Sequence, residues 1–353
     1  MSAKTEGLTG SIGLPGRTMT WIGVGMVASS AVIIAISVFF GVSISDIEKI
    51  GLWTFLLAAA VSSVRLLVQI VRFRLVTSSL IADPRVDLHG LATARLGSEF
   101  VALSTPSMSG GEFVRAAWLS LKGVEMGKAF WIGYFELIAD VYVVSALGLV
   151  ASVYALSRGA FFIGSVILVV VLILTAAYTI FFLVPAMKGP PKVPRRVFSL
   201  ASRFIGRSRA RHLQTAIQRG AEGFSIAARA MLRRGSLPLV LKVLCLSVAE
   251  AFLTGLALWI ILSAAGVNID MLSSTLVAYG GITMASLPIS IAGSGVIELT
   301  TQSYLSSVFG FSSWTAVIIW RIVSFQFLLV ITGVAFIILV RQGTKKHSGG
   351  HGR

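Results

Sequence analysis

The chain has 353 residues, of which 56% are hydrophobic and only 12% charged, with a formal net charge of +16. A soluble domain carries charge on about a quarter of its residues. This composition, with a mean hydropathy of +0.89, therefore excludes an ordinary soluble protein and predicts an all-α polytopic membrane protein. The basic excess does not point to nucleic acid, because it concentrates in loops between apolar segments, where membrane topology places it.

Residues 1–18 read as a cytoplasmic tail that includes Arg17. Six segments are long and apolar enough to span the hydrocarbon core: roughly 19–40, 51–71, 129–155, 161–184, 238–264 and 313–340. The first is too long for the h-region of a signal peptide and is read as a retained helix. Single Cys245 allows no intrachain disulfide, and His89, His212, His347 and His351 lack metal-ligand spacing. No metal and no cofactor is expected.

Two further apolar stretches, 88–121 and 270–308, are broken in the same manner. The first reads Ser104-Thr105-Pro106-Ser107-Met108-Ser109-Gly110-Gly111-Glu112. The second runs from Leu287-Pro288 through Gly293, Ser294 and Gly295 to Glu298. Proline removes a backbone donor and clashes with a helix, and glycine permits the reversal. Irregular backbone at membrane depth survives only inside protein or beside a wet cavity. Paired breaks in the two halves of a membrane protein mark a transport site.

Charge sets orientation. The 185–235 loop carries twelve Lys and Arg from Lys188 to Arg234 against Glu222 alone, so it is expected on the cytoplasmic side. Lys122, Lys128, Arg72, Arg74 and Arg85 then fall on that side, as does the tail 341–353. This closes only if both broken stretches enter and leave on one face, 88–121 from the cytoplasm and 270–308 from outside. The expected architecture is thus six full helices plus two re-entrant hairpins entering from opposite faces, an inverted repeat within one membrane domain, 19–340. Within the basic loop, residues 197–232 alternate apolar and basic positions. They predict an amphipathic surface helix that attracts anionic headgroups, or else simply the topogenic loop.

Ionisable groups inside spans are costly and tend to be functional. Glu136 and Asp140 share a helix face at i, i+4, and Arg321 stands at a corresponding place in the second half. Pairing of Arg321 with one of those carboxylates across the repeat is expected. Glu250 needs a cation, and Arg65 is available. Glu112 and Arg115, one turn apart, are expected to pair locally. Glu298 has no cation near it in sequence, so it is a candidate for substrate or coupling-ion contact, or a cap on a half-helix N-terminus, where a phosphate would also be favoured. The candidate translocation residues are Pro106, Gly110, Gly111, Glu112, Arg115, Glu136, Asp140, Pro288, Gly293, Gly295, Glu298 and Arg321, with Arg65 and Glu250 as secondary charges.

There is no Walker A loop, kinase motif set or nucleophile elbow, and no catalytic residue is nominated. Enzyme activity is not expected, and transport would be passive or driven by an ion gradient.

The pattern of Ser104–Glu112 with Arg115 and Leu119-Ser120-Leu121-Lys122-Gly123, of Glu136 and Asp140, of Leu287-Pro288 through Glu298, and of Arg321 resembles the flippase-like transmembrane region of lysylphosphatidylglycerol synthases and its stand-alone relatives, over roughly 50–340. The family pattern often places an arginine within the short acidic stretch, where this chain has apolar Leu137 and Ile138. The resemblance implies a lipid-handling membrane module without the aminoacyl-transfer domain.

The leading expectation is a lipid or lipid-linked headgroup translocase of the cytoplasmic membrane, acting on anionic, aminoacylated or polyprenyl-linked lipid. Two alternatives stand beside it: an ion-coupled small-solute transporter, and an accessory membrane protein of a lipid or glycan biosynthetic enzyme. Membrane lipids are the expected partners, and either a homo-oligomer or a partner biosynthetic enzyme is compatible with the sequence.

Overall fold

In the computed structural model, residues 16–81, 86–105, 108, 110–189, 218, 220–230 and 234–348 are described. Every regular element among them is a helix. In chain order these are α1 (Gly16–Phe39), α2 (Ile44–Ile50), α3 (Leu52–Leu80), α4 (Leu88–Leu103), α5 (Gly111–Leu121), α6 (Met126–Ser157) and α7 (Phe161–Lys188). Then follow α8 (220–230), α9 (Leu237–Ala264), α10 (Met271–Ala285), α11 (Val296–Phe309) and α12 (Trp314–Arg321). A π-helical turn, Ile322–Gln326, joins α12 to α13 (Phe327–Ser348).

Five helices are long and apolar enough to cross a membrane: α3, α6, α7, α9 and the continuous segment Trp314–Gln342. The chain is therefore a multi-pass membrane protein. The first expected span is less simple. Its helix meets α2 at a bend of 93°, and only the two together make a sixth candidate. The second expected span is longer than read: α3 continues past residue 71 to Leu80, which carries Arg72 into the protein. Helix α7 likewise runs through Pro185 to Lys188, with Pro185 buried in its last turns.

Both broken stretches form helical hairpins, α4–α5 and α10–α11. Their arms have 16, 11, 15 and 14 residues, all short of the ~20 needed to cross the hydrocarbon core. Each hairpin opens with an aspartate N-cap. Asp87 accepts from the Gly90 N–H at 2.9 Å, and Asp270 accepts from the Ser273 N–H at 2.9 Å. The arms touch through glycine. A Cβ on Gly111 would sit 2.6 Å from the Ser98 carbonyl oxygen, and one on Gly281 would sit 2.3 Å from Thr301 Oγ1.

The hairpins are exchanged between halves. The first arm of each packs on the long helix that follows the other hairpin: α4 on α13, and α10 on α6. The second arms pack within their own half, α5 on α6 and α11 on α12, and α11 also touches α6 and α7. Helices α3 and α9, which precede the hairpins, pack directly on each other.

The predicted amphipathic helix at 197–232 falls mostly outside the described residues. Its described part, α8, turns Phe224 into the core beside Trp131 and Tyr134, with ring centroids at 5.1 and 5.4 Å. Arg229 on the same helix is exposed. This part is docked on the protein by its apolar face.

The two capping carboxyls are held below their ordinary range, Asp87 chiefly by the Gly90 N–H and Asp270 chiefly by Ser273. A lowered native pKa means stability that is present above the ordinary carboxylate pKa of about 4 and lost as pH falls through the native value. Replacing either aspartate by alanine should lower stability by about 1 kcal/mol at neutral pH, read by thermal unfolding in detergent. The difference from wild type should vanish on acidification below that range.

Candidate functional site: a buried charge network beside a central cavity

Helix α3 carries Arg65, Gln69 and Arg72 at i, i+4 and i+7, one face of a helix. That face meets α4, α6 and α9. Arg72 is fully buried and is the hub. Its Nη2 donates to Asp140 Oδ2 at 2.7 Å, and its Nη1 also reaches Asp140. Its Nε donates to Glu136 Oε1 at 3.3 Å. Nη1 further donates to Ser247 Oγ at 2.6 Å and lies 3.4 Å from Glu250. Ser247 in turn donates to Asp140 Oδ1 at 2.9 Å.

The hairpin extends this network. Arg95 donates to Glu99 at 2.9 Å and approaches Glu136 at 3.9 Å. Arg65 lies 3.5 Å from Glu99 and 3.6 Å from Glu250. Arg115, on α5, lies 3.3 Å from Glu136 and donates to Ser98 Oγ and the Gly133 carbonyl at 3.0 and 3.1 Å. Four arginines thus face four carboxylates, so their formal charges cancel. The arginine fork suits such shared, multidentate pairing.

A second ion pair stands in the other half. Arg321 Nε donates to Glu298 Oε1 at 2.7 Å, with both residues buried. The Arg321 guanidinium also donates to the Ala292 carbonyl at 3.3 Å and lies 4.6 Å from the Phe325 ring centre, a cation–π distance. The π turn begins at the next residue, and such turns are frequent at functional sites.

The two breaks meet. The Ala292 N–H donates to the Thr105 carbonyl at 3.2 Å. Near this seam Met108 and Ala292 hold φ of 52° and 51°, a conformation that L-residues rarely adopt. Both half-helix N-termini are capped by glutamate. Glu112 Oε2 accepts from the Gly110 N–H at 2.9 Å, and Glu298 Oε2 accepts from the Gly295 N–H at 2.7 Å. At both ends a carboxylate of the chain itself bonds the N–H of the cap glycine.

A cavity of about 210 Å³ lies between these parts. Of the residues nominated from sequence, Arg65, Asp140, Glu250 and Arg321 line it. Gln69, Arg95, Glu99, Ser247 and Ser324 line it too. Asp140 is the open member of its pair, its side chain 37% exposed against 1% for Glu136.

Several expectations are corrected. Arg321 does not pair with Asp140 or Glu136 but with Glu298, because α11 and α12 are packed neighbours. Glu298 accordingly has a cation, one that is remote in sequence. Arg115 turns away from Glu112 toward Glu136, leaving Glu112 to cap. Pro288 is exposed, and Gly110, Gly111, Gly293 and Gly295 shape the breaks without lining the cavity. Pro106 lies outside the described residues. Arg72, read as a cytoplasmic flank, is the hub. The expected Arg65–Glu250 pair is present. Arg95 and Glu99 were not nominated, although their i, i+4 spacing is a signal of pairing.

The two halves carry the arm-to-helix pair with opposite sign. Glu136 follows the cap glycine Gly110, and Arg321 follows Gly295, by the same number of residues. Glu136 faces Arg115 of the second arm, and Arg321 faces Glu298 of the second arm.

Removing one partner of a buried pair leaves the other uncompensated, at about 3–5 kcal/mol. Arg321→Met and Glu298→Gln should each lower thermal stability in detergent by an amount of that order. The double variant should lose clearly less than the sum. Additivity to within about 0.5 kcal/mol would show that the two residues are not coupled.

No curated protein matches the chain. The family model for the lysylphosphatidylglycerol synthase TM region matches residues 21–333, which takes in both hairpins, the charge network and the cavity. The chain belongs to the family of the lysylphosphatidylglycerol synthase TM region.

Proposed function

We propose that this protein is a flippase-like translocase, moving the headgroup of a lipid or lipid-linked molecule across the cytoplasmic membrane. One observation carries the reading: a cavity lined by charges of both signs sits where two broken hairpins meet. A family with a lipid-related membrane role is the second support. Charge at membrane depth is costly and is kept where an ion or polar group must pass. Arg65, Arg95 and Arg321 offer the cavity donors for a phosphate. Asp140 and Glu250 offer acceptors for an ammonium or hydroxyl. Such a lining suits an anionic, aminoacylated or polyprenyl-linked lipid whose tails remain in the bilayer.

The proposed membrane arrangement has six spans, with α1 and α2 supplying the first. Hairpin α4–α5 dips in from the cytoplasm and α10–α11 from outside, and both termini are cytoplasmic. The exchanged packing of the hairpins supports an inverted repeat, as do the two aspartate-capped entrances and the two glutamate-capped half-helices. The basic 185–235 stretch would meet anionic headgroups on the cytoplasmic face. In this reading the protein moves its substrate without covalent chemistry, needs no cofactor, and takes membrane lipids as its partners.

The test is lipid scrambling by the full chain in proteoliposomes containing a reporter-labelled anionic phospholipid. Asp140→Asn and Arg321→Gln should each slow movement by about tenfold, equivalent to about 1.4 kcal/mol on the barrier. Unchanged rates in both would remove these residues from the pathway. No movement by the wild-type protein would overturn the lipid reading and shift weight to a solute transporter.

A further inference from the structure

Three of the four carboxylates in the network accept from an arginine. Arg72 donates to Asp140 and to Glu136, and Arg95 donates to Glu99. Glu250 differs. Its hydrogen bond comes from the neutral amide of Gln69, while Arg72 and Arg65 stand off at 3.4 and 3.6 Å. Its second oxygen, Oε2, is buried without a hydrogen-bond donor, as is Glu136 Oε2, but of these two residues only Glu250 lines the cavity. The Gln69 side-chain oxygen is also buried with no donor. Two residues joined by one hydrogen bond thus each keep a buried acceptor without a donor, and an unsatisfied buried polar atom costs about 1–3 kcal/mol.

A proton on Glu250 satisfies the Gln69 oxygen and leaves Oε2 as a neutral carbonyl oxygen rather than part of a buried anion. A protonated Glu250 becomes a donor. Rotating the Gln69 amide places its oxygen where the nitrogen now donates, and the acid can then donate to it. Glu250 also lines the cavity, so a proton can reach it.

The groups facing Glu250 come from every packed element. Helix α3 presents Arg65 and Arg72, α4 presents Glu99 and Arg95, and α6 presents Asp140. Tyr279 of α10 and Arg321 of α12 line the same cavity. On α9 itself Lys242 and Cys245 are exposed and face away. With Glu250 ionised, four arginines balance four carboxylates. With Glu250 protonated, the cluster gains one net positive charge beside the cavity.

Resting on the translocase reading, we infer that Glu250 is a proton-binding site, and that its protonation is linked to binding of an anionic phosphate headgroup in the cavity. The linkage is reciprocal: the proton favours the phosphate, and the phosphate favours the proton. No covalent bond changes; the proton moves between water in the cavity and Glu250.

The experiment uses the full chain in nanodiscs. Infrared difference spectra between pH about 8 and about 6, a range above ordinary carboxylates, should show a carboxylic-acid carbonyl band that appears on acidification. Glu250→Gln should abolish it, and Glu250→Asp should restore one at an altered position. Binding of dihexanoyl phosphatidylglycerol should tighten by about tenfold over that range in wild type. In Glu250→Gln it should vary by less than about twofold. A band that persists in Glu250→Gln, or no band in wild type, overturns the inference, as does equal pH dependence of binding in both. Should Glu250→Gln fail to fold, Glu250→Asp decides: an unmoved band assigns the proton elsewhere and overturns the inference.

Lipid movement measured alongside separates the two readings. Proton uptake with linked binding but no movement would sink the translocase and leave this site standing. Movement without a titrating acid at Glu250 would do the reverse.

Discussion

A guanidinium buried among apolar helices must be paired, and the fold is organised around meeting that demand at Arg72. Its donors reach carboxylates on α6 and come close to one on α9, with Ser247 bridging. Three long helices are thereby fixed in register by one side chain. Breaking one arm of such a network strands a charge in a medium that cannot solvate it. The hairpin α4–α5 is drawn in by the same demand, because Glu136 also serves Arg95 and Arg115. Apolar packing supplies most of the contact between helices, but it is tolerant of sliding and rotation. The ionic network is not.

The breaks obey a parallel constraint. Interrupted helices leave backbone N–H groups unpaired, and lipid offers them nothing. The chain answers with its own carboxylates, Glu112 and Glu298, one at each half-helix start. Each hairpin is then closed by glycine, where the arms pass too close for a side chain. Arg321 locks the second break by holding both Glu298 and the Ala292 carbonyl, while the Ala292 N–H holds Thr105 of the first. The contact between the two breaks is thus a backbone hydrogen bond steadied by one ion pair, beside the cavity rather than remote from it. A site built in this manner couples any change at Arg321 to the contact between the two breaks.

Much of this was legible. The long apolar runs marked the spans, and Pro106, Pro288 and the glycines marked the breaks, because backbone conformation is limited by local chemistry. Glu250 called for a cation, and Arg65 supplied it. The failures share a cause. Arg72 was read as a flank because the span was ended where hydropathy fell, although helix propensity and the carboxylates of other helices carry α3 on to Leu80. Arg321 falls nearly opposite Asp140 when the halves are counted from Pro106 and Pro288, and that count suggests the wrong partner. Aligned on the cap glycines Gly110 and Gly295, Arg321 matches Glu136, a residue it replaces rather than touches. Arg95 and Glu99 were passed over because they sit in a stretch read only for its break.

The sequence by itself determined that this is a helical multi-pass membrane protein with two interrupted segments, since hydropathy, charge placement and the conformational limits of proline and glycine act locally along the chain. It also marked several residues that would need partners, Glu136, Asp140, Glu250 and Arg321 among them, because an unpaired charge in an apolar setting is costly wherever it lies. Only the tertiary structure decided who the partners are. Arg72 meets Asp140, and Arg321 meets Glu298, through the packing of helices distant or separate in sequence. The electrostatic energy of a pair depends on separation in space, and separation in the chain does not set it.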